Sequence, residues 1–270
     1  MRIHIVMSSQ TLAYADYCVY NHVLLANDPT SLDFVFYCLD DASFATVSQR
    51  SGPTPVHAKR VADGSGSIGH MIGIRAALEN FDRESTNIIV DSDCIVLMRG
   101  WDAKLREIMM SADAVGTVYE DIGGFSSGNG TVQTYKRVPN FNWCALSPKF
   151  DWDFDVSADK ASPLKIDDER LSRAFNLPIG FSLFREPCWK FPLYVDDHSV
   201  SCYPLEFVRP MSGRALAVLT GQDYHTEYQL RDGTPFCAHQ RGSMSKEFRV
   251  HPLSKMFYDA CEAYIARIDT

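Results

Sequence analysis

Residues 87–97 read Asn-Ile-Ile-Val-Asp-Ser-Asp-Cys-Ile-Val-Leu, with two carboxylates, Asp91 and Asp93, at the end of an apolar run. Ile88, Ile89 and Val90 are β-branched and contiguous, the pattern of a strand buried on both faces of a parallel sheet. An Asp-x-Asp there is costly to bury unless a positive charge compensates it. A hard divalent cation, Mg²⁺ or Mn²⁺, does so, because it prefers carboxylate oxygen and bridges to phosphate. Ligands of open α/β sheets bind where the strands end. The tripeptide therefore points to a metal-diphosphate site, against the plainer alternative of a strand-end turn with solvated acids.

Outward from this stretch, the β-α alternation sets the fold class. Ile3, Ile5 and Val6 mark a first strand over Arg2–Met7, followed by the polar turn Ser8-Ser9-Gln10-Thr11. Leu12, Ala15, Val19, Val23 and Ala26 fall at helical spacing, and Asp28-Pro29 closes that helix. Asp33 to Leu39 is a second strand ending in Asp40-Asp41, and residues 48–67 read as a Gly/Pro/Ser-rich loop. Ser67 is positioned to cap a helix in which Ile68, Met71, Ile72 and Leu78 share a face. After the acidic strand, Trp101, Leu105, Ile108, Met109 and Ala112 give an amphipathic helix, and residues 114–119 a further strand. This order predicts an α/β fold with a mostly parallel central sheet and helices on both faces. Past Glu120 the rhythm is lost: Phe141 to Leu146 reads as a strand, and Asp151, Asp153 and Asp155 alternate with Trp152 and Phe154. Helical periodicity returns from Leu253 to Ile268.

Composition narrows the functional classes. At 270 residues and 46% apolar content the chain can bury a substantial core in one large domain. A formal charge of -8 argues against a nonspecific nucleic-acid binder, since phosphate backbones select basic surfaces. The eight cysteines form no CxxC pair, so a zinc knuckle is unsupported, and buried reduced thiols are expected. No segment has the length and apolarity of a membrane span. The expectation is a soluble, cytoplasmic protein.

With these parts in order, the chain resembles a nucleotide-sugar glycosyltransferase of the GT-A fold, a Rossmann-like architecture, with family 2-like motifs. The resemblance covers most of the first 120 residues and a segment near the end. In that superfamily Asp-x-Asp holds the sugar-nucleotide donor through Mn²⁺ or Mg²⁺, which implies that role for Asp91-Ser92-Asp93. Ser65-Gly66-Ser67-Ile68-Gly69-His70 looks like the family segment whose small residues let the chain pass close to the nucleotide. Leu219-Thr220-Gly221-Gln222-Asp223, a short helix through Leu230, the strand Phe236-Cys237-Ala238 and then His239-Gln240-Arg241-Gly242-Ser243-Met244 are similar to the closing elements. There an acid precedes a helix, a His after the next strand completes the metal shell, and a basic loop folds over the diphosphate. The resemblance thus implies Asp223 as general base, Asp91, Asp93 and His239 as metal ligands, and Lys246 and Arg249 on the closing loop. Relatives carry Glu-Asp where this chain has Gln222-Asp223, or Asp-Thr-Gly where it has Leu219-Thr220-Gly221, and both alignments stay open. Residues 1–120 would bind the nucleotide sugar. Residues 121–270 would form the acceptor-binding half, with closing loop and C-terminal helix, within one compact domain.

Each candidate also has a plainer account. Asp223 suits a helix N-cap as well as a base. Ser8, Ser9, Asp40, Asp41 and His70 lie where strand ends and loops would meet a nucleotide, yet Asp40 and Asp41 also signal a turn. Asp196-Asp197-His198 reads as a solvated loop, and His225 as a surface residue of a short helix. Trp143, Trp152, Phe154 and Trp189 could stack on sugars, although core packing is their default role. The expected activity is a metal-dependent hexosyl transfer from a UDP- or GDP-sugar to a hydroxyl acceptor such as a glycan. A nucleotidyltransferase, a DNA-base glycosyltransferase and a noncatalytic nucleotide- or carbohydrate-binding relative are the alternatives. A nucleotidyltransferase usually has a Gly-rich basic signature after the first strand, which Ser8-Ser9-Gln10-Thr11 lacks, and the acidic charge disfavours DNA.

Overall fold

The first strand, β1 (Arg2–Met7), is buried on both faces except at its start, as a central parallel strand must be. In a computed structural model of the chain, the described residues are 1–50, 54–64, 66–118, 131–132, 138–157, 159–185, 187–208, 225–240 and 252–268. After β1 come α1 (Leu12–Leu25), a 3₁₀ turn (Pro29–Ser31), β2 (Asp33–Cys38), α2 (Asp41–Ser48), β3 (Val56–Arg60), α3 (Gly66–Glu79) and β4 (Asn87–Asp91). Next are β5 (Cys94–Val96), α4 (Trp101–Met109), β6 (Ala114–Gly116), β7 (Thr131–Val132), β8 (Trp143–Leu146) and β9 (Asp159–Lys165). The chain continues through α5 (Glu169–Phe175), β10 (Ser182–Arg185), α6 (Phe191–His198), β11 (Cys202–Pro204), β12 (Glu206–Phe207), β13 (His225–Gln229), β14 (Pro235–Gln240) and α7 (Pro252–Ile268).

Seven strands form the main sheet in the order β11-β6-β8-β4-β1-β2-β3. All neighbours run parallel except β8, which is antiparallel to both β4 and β6. The architecture is the mostly parallel, Rossmann-like α/β sandwich expected. Side-chain alternation along β1 and β2 splits the core into two layers. Ile3, Ile5, Phe34 and Phe36 pack with α1, α2 and α4 through Cys18, Val47, Trp101 and Leu105. Val35, Tyr37 and Ile89 pack on the other face with α3, α5 and α6 through Ile74, Phe175 and Phe191. A smaller sheet, β12-β13-β14-β5, carries α7, with Ile95, Leu97, Ala238, Ala260 and Cys261 between them. A third sheet has the order β7-β10-β9.

Several expectations need correction. Residues 48–67 are not all loop: β3 lies within them, an edge strand whose His57 and Lys59 face solvent. The short helix expected from Asp223 toward Leu230 is instead β13 over His225–Gln229, paired antiparallel with β14. The strand wins because β14 offers a full ladder of backbone partners, which outweighs local propensity. Asp196, Asp197 and His198 end α6 rather than lying in a loop; Asp196 pairs with Arg173 at 2.7 Å and Asp197 with Arg170 at 2.5 Å. All eight cysteines are free thiols, and seven are buried. Among the described residues no helix is long and apolar enough to cross a membrane.

Candidate functional site

The carboxyl ends of β1, β2 and β4 lie side by side, because Val6 is the register partner of both Tyr37 and Asp91. On this rim the Ser9 N–H donates to Asp40 Oδ2 at 2.7 Å, and the Ser43 N–H donates to Asp40 Oδ1 at 2.8 Å. Asp40 thus caps α2 and ties the loop after β1 to it. Burial pushes its carboxyl up, but these two backbone amides outweigh burial and hold it below the usual range. Asp41 is exposed and pairs with Arg60 at 2.8 Å. Ser8 is buried, and its hydroxyl accepts from the Gln10 N–H at 3.3 Å. Ser8, Ser9, Asp40 and Asp41 therefore occupy the strand-end positions expected of them, with Asp40 already engaged by backbone.

Asp91 ends β4 half-buried, and its N–H donates to the Asn142 carbonyl at 2.8 Å. Ser92 and Asp93 turn the chain into β5, and both are buried. β5 pairs with β14 so that Cys94 stands directly opposite His239. Opposed residues of an antiparallel pair share a face, so this register aims the imidazole back toward the acids. His239 Nε2 lies 3.3 Å from Asp93 Oδ1 and 4.0 Å from Asp91 Oδ2. The Asn142 amide stands 3.2 Å from His239 Nδ1. This contact orients the His239 ring toward the acids.

His70 Nε2 sits 2.8 Å from Asp91 Oδ1. Burial lowers the pKa of His70, but the Asp91 charge outweighs burial and raises it. Three close approaches seat α3, which carries His70. A Cβ on Gly64 would lie 2.7 Å from the Gly69 Cα, one on Gly69 2.8 Å from Leu39 Cδ1, and one on Gly73 2.2 Å from Val6 Cγ1. Gly69 and Gly73 let the helix lie against β1 and the end of β2, a packing role distinct from the expected approach to a nucleotide.

These groups fit a divalent cation. Ligand atoms held at roughly 2.1 Å around an octahedral ion stand about 3 Å apart, close to the His239–Asp93 separation. Two half-buried or buried carboxylates form a hard donor pair, joined by a borderline imidazole nitrogen, with exposure enough for entry. Asn142, and Cys94 with them, have no signature in the local sequence; only the β4–β8 and β5–β14 registers bring them in. Cys94 Sγ donates to the Asn142 carbonyl at 3.2 Å, and burial, with the Asp93 charge second, pushes its thiol well above the ordinary value. Asp93, Cys94 and His239 offer ligand atoms all within 4.8 Å of one another.

His225 is neither helical nor exposed: it is buried on β13, with its Nε2 2.7 Å from Glu227 Oε1, also buried. Thr226, between them, is the register partner of His239, so the pair faces away from the acids. Trp143 and Trp189 are buried, and Trp152 and Phe154 pack against the same core as Trp189. Asp223, Lys246 and Arg249 lie outside the described residues. A cleft of about 490 Å³ lined by Met71, Ile72, Arg75 and Val156 shares α3 but none of the site carboxylates.

No family model matches the chain, and no curated protein matches it. Solved structures similar to it include S. aureus TarS residues 1–349, at 12% identity and a TM-score of 0.40, covering 68% of this chain. The chain spans 58% of the length of that one. A mannosyltransferase from Pyrobaculum calidifontis, solved with GDP-Man and Mn²⁺, matches at 10% identity and a TM-score of 0.39, covering 98% of this chain and 74% of that one. 4-Diphosphocytidyl-2C-methyl-D-erythritol synthase from Anaerococcus prevotii matches at 10% identity and 0.36, covering 73% and 96%. At these values the likenesses carry no argument about activity, which rests on the site itself.

Proposed function

We propose that the chain is a metal-dependent glycosyltransferase that moves a sugar from a nucleoside-diphosphate sugar to a hydroxyl acceptor. The observation that carries this reading is the convergence of Asp91, Asp93 and His239, from the end of β4, the turn after it and the distant β14. A Mg²⁺ or Mn²⁺ ion held by these three side chains would supply positive charge to the diphosphate of the donor and to the charge developing on the leaving group. The remaining work falls to the chain. His70 holds Asp91 in place from α3. The backbone of the Ser8-Ser9 turn, fastened by Asp40, supplies a rigid strand-end rim against which the nucleoside would rest. Asp223 would take the acceptor proton, and Lys246 and Arg249 would close over the phosphates. Residues 1–120 would then serve the donor and the later half the acceptor.

The test is Mn²⁺ binding and turnover. Mn²⁺ should bind at one site, and a panel of UDP- and GDP-sugars should yield nucleoside diphosphate only in its presence. Asp93→Asn should abolish both while the far-ultraviolet dichroism is unchanged. Release of pyrophosphate from a nucleoside triphosphate would point to nucleotidyl transfer instead. Unaltered nucleotide affinity in Asp93→Asn with Mn²⁺ present would overturn the reading.

A further inference from the structure

We infer that the centre has a second, softer coordination face, in which Cys94 joins Asp93 and His239 to bind Zn²⁺ and metals of its class. The inference takes the acid-imidazole centre above as its starting point and adds a ligand of different chemistry. Three observations carry it. The ligand atoms of Asp93, Cys94 and His239 already lie within 4.8 Å of one another. Cys94 and His239 are directly opposed on adjacent antiparallel strands, so backbone hydrogen bonds hold them on one face. One residue, Asn142, touches both: its carbonyl accepts from Cys94 Sγ at 3.2 Å, and its amide lies 3.2 Å from His239 Nδ1.

One sulfur, one imidazole nitrogen and one carboxylate oxygen make a three-ligand set suited to a four-coordinate zinc with one open position. Mg²⁺ and Mn²⁺ gain little from sulfur, whereas Zn²⁺ and Co²⁺ gain a strong bond. The hard cation is therefore expected to sit between Asp91 and Asp93, and the softer one toward Cys94. As the metal–sulfur bond forms, the thiol proton leaves to the buffer and the hydrogen bond to the Asn142 carbonyl breaks. Entry is through the Asp91–His239 side, since those side chains retain 22% and 18% exposure while Cys94 is buried. Zn²⁺ bound there would exclude the catalytic cation by occupying two of its three ligands.

The experiment titrates the metal-stripped full-length protein with Co²⁺ and follows its visible and near-ultraviolet spectrum, with Mn²⁺ binding measured in parallel by electron paramagnetic resonance. A thiolate-to-cobalt charge-transfer band is expected at one equivalent, displaced by Zn²⁺. In Cys94→Ser the band should vanish and Co²⁺ affinity fall at least about tenfold, with Mn²⁺ affinity kept within about twofold. Should that variant not fold, zinc-edge X-ray absorption on the unaltered protein decides the matter: one sulfur at about 2.3 Å supports the assignment, and a shell of only nitrogen and oxygen overturns it. Mn²⁺ binding without a sulfur band removes Cys94 and leaves the glycosyltransferase reading standing. A sulfur band without Mn²⁺ binding does the reverse. Retention of the band in Cys94→Ser places the metal on another cysteine and also overturns the inference.

Discussion

Gly73→Ala tests whether the packing of α3 sets the position of His70. The added methyl would stand 2.2 Å from Val6 Cγ1, 2.7 Å from Cγ2 and 3.0 Å from Cβ. Val6 is buried in β1 beside Asp91, so it has nowhere to turn. Restoring ordinary contact requires α3 to lift by about 1 Å, and overpacking of this kind costs about 1–3 kcal/mol. Alanine returns about 1 kcal/mol through its better helix propensity, so the net loss should be between about 0 and 2 kcal/mol. The same lift carries His70, one turn earlier, away from its 2.8 Å contact with Asp91. Urea unfolding of Gly73→Ala, Val6→Ala and the double variant gives a complete cycle. Removal of both Cγ atoms should relieve the clash, leaving the double variant more stable than the sum of the single losses by about 1–3 kcal/mol. Strictly additive losses would refute the reasoning.

Three further outcomes follow from the same structure. Burial holds His4 and His22 at a pKa of about 4 in the fold, against 6.5 in the unfolded chain. Both are neutral in either state above pH 6.5, and below it the unfolded chain takes up protons first, so stability falls from pH 6.5 toward 4. At pH 5 each should cost about 2 kcal/mol, seen as a lower urea midpoint that His22→Gln partly flattens. Asp40→Ala loses the helix cap and the Ser9 tether together and should cost about 1–2 kcal/mol in thermal unfolding. Asp223→Asn should lower turnover by roughly two to four orders of magnitude while donor binding persists, and NMR should show an inverted anomeric centre in the product; full activity or retained configuration removes Asp223 from the role.

The parts of the fold legible in the sequence are those with long or continuous apolar signals. β1, β2 and β4 are buried on both faces, and α4 shows a clean stripe through Trp101, Leu105 and Ile108. β3 escaped because an edge strand needs only one partner and tolerates His57 and Lys59 on its open face. α2 is eight residues of mostly small or β-branched side chains, helical because Asp40 caps it rather than by propensity. β13 hides its strand character behind His225 and Glu227, which are buried only as a pair. At the site, Asp91 and Asp93 announce themselves through the cost of acids after an apolar strand. Asn142 and Cys94 do not, since their part depends on which strands become neighbours.

The antiparallel strand β8 has a consequence for the order in which the sheet can form. β6 precedes β8 in the chain but joins β4 in the sheet only through it. A nascent chain that ends before Trp143 therefore presents the bare edge of β4, apolar at Ile88, Ile89 and Val90, with β6 still unpaired. That edge is a template for any passing strand. Synthesis slowed before β8 emerges should give aggregation, and a pulse of hydrogen exchange during refolding should protect β1, β2 and β4 before β6 and β11.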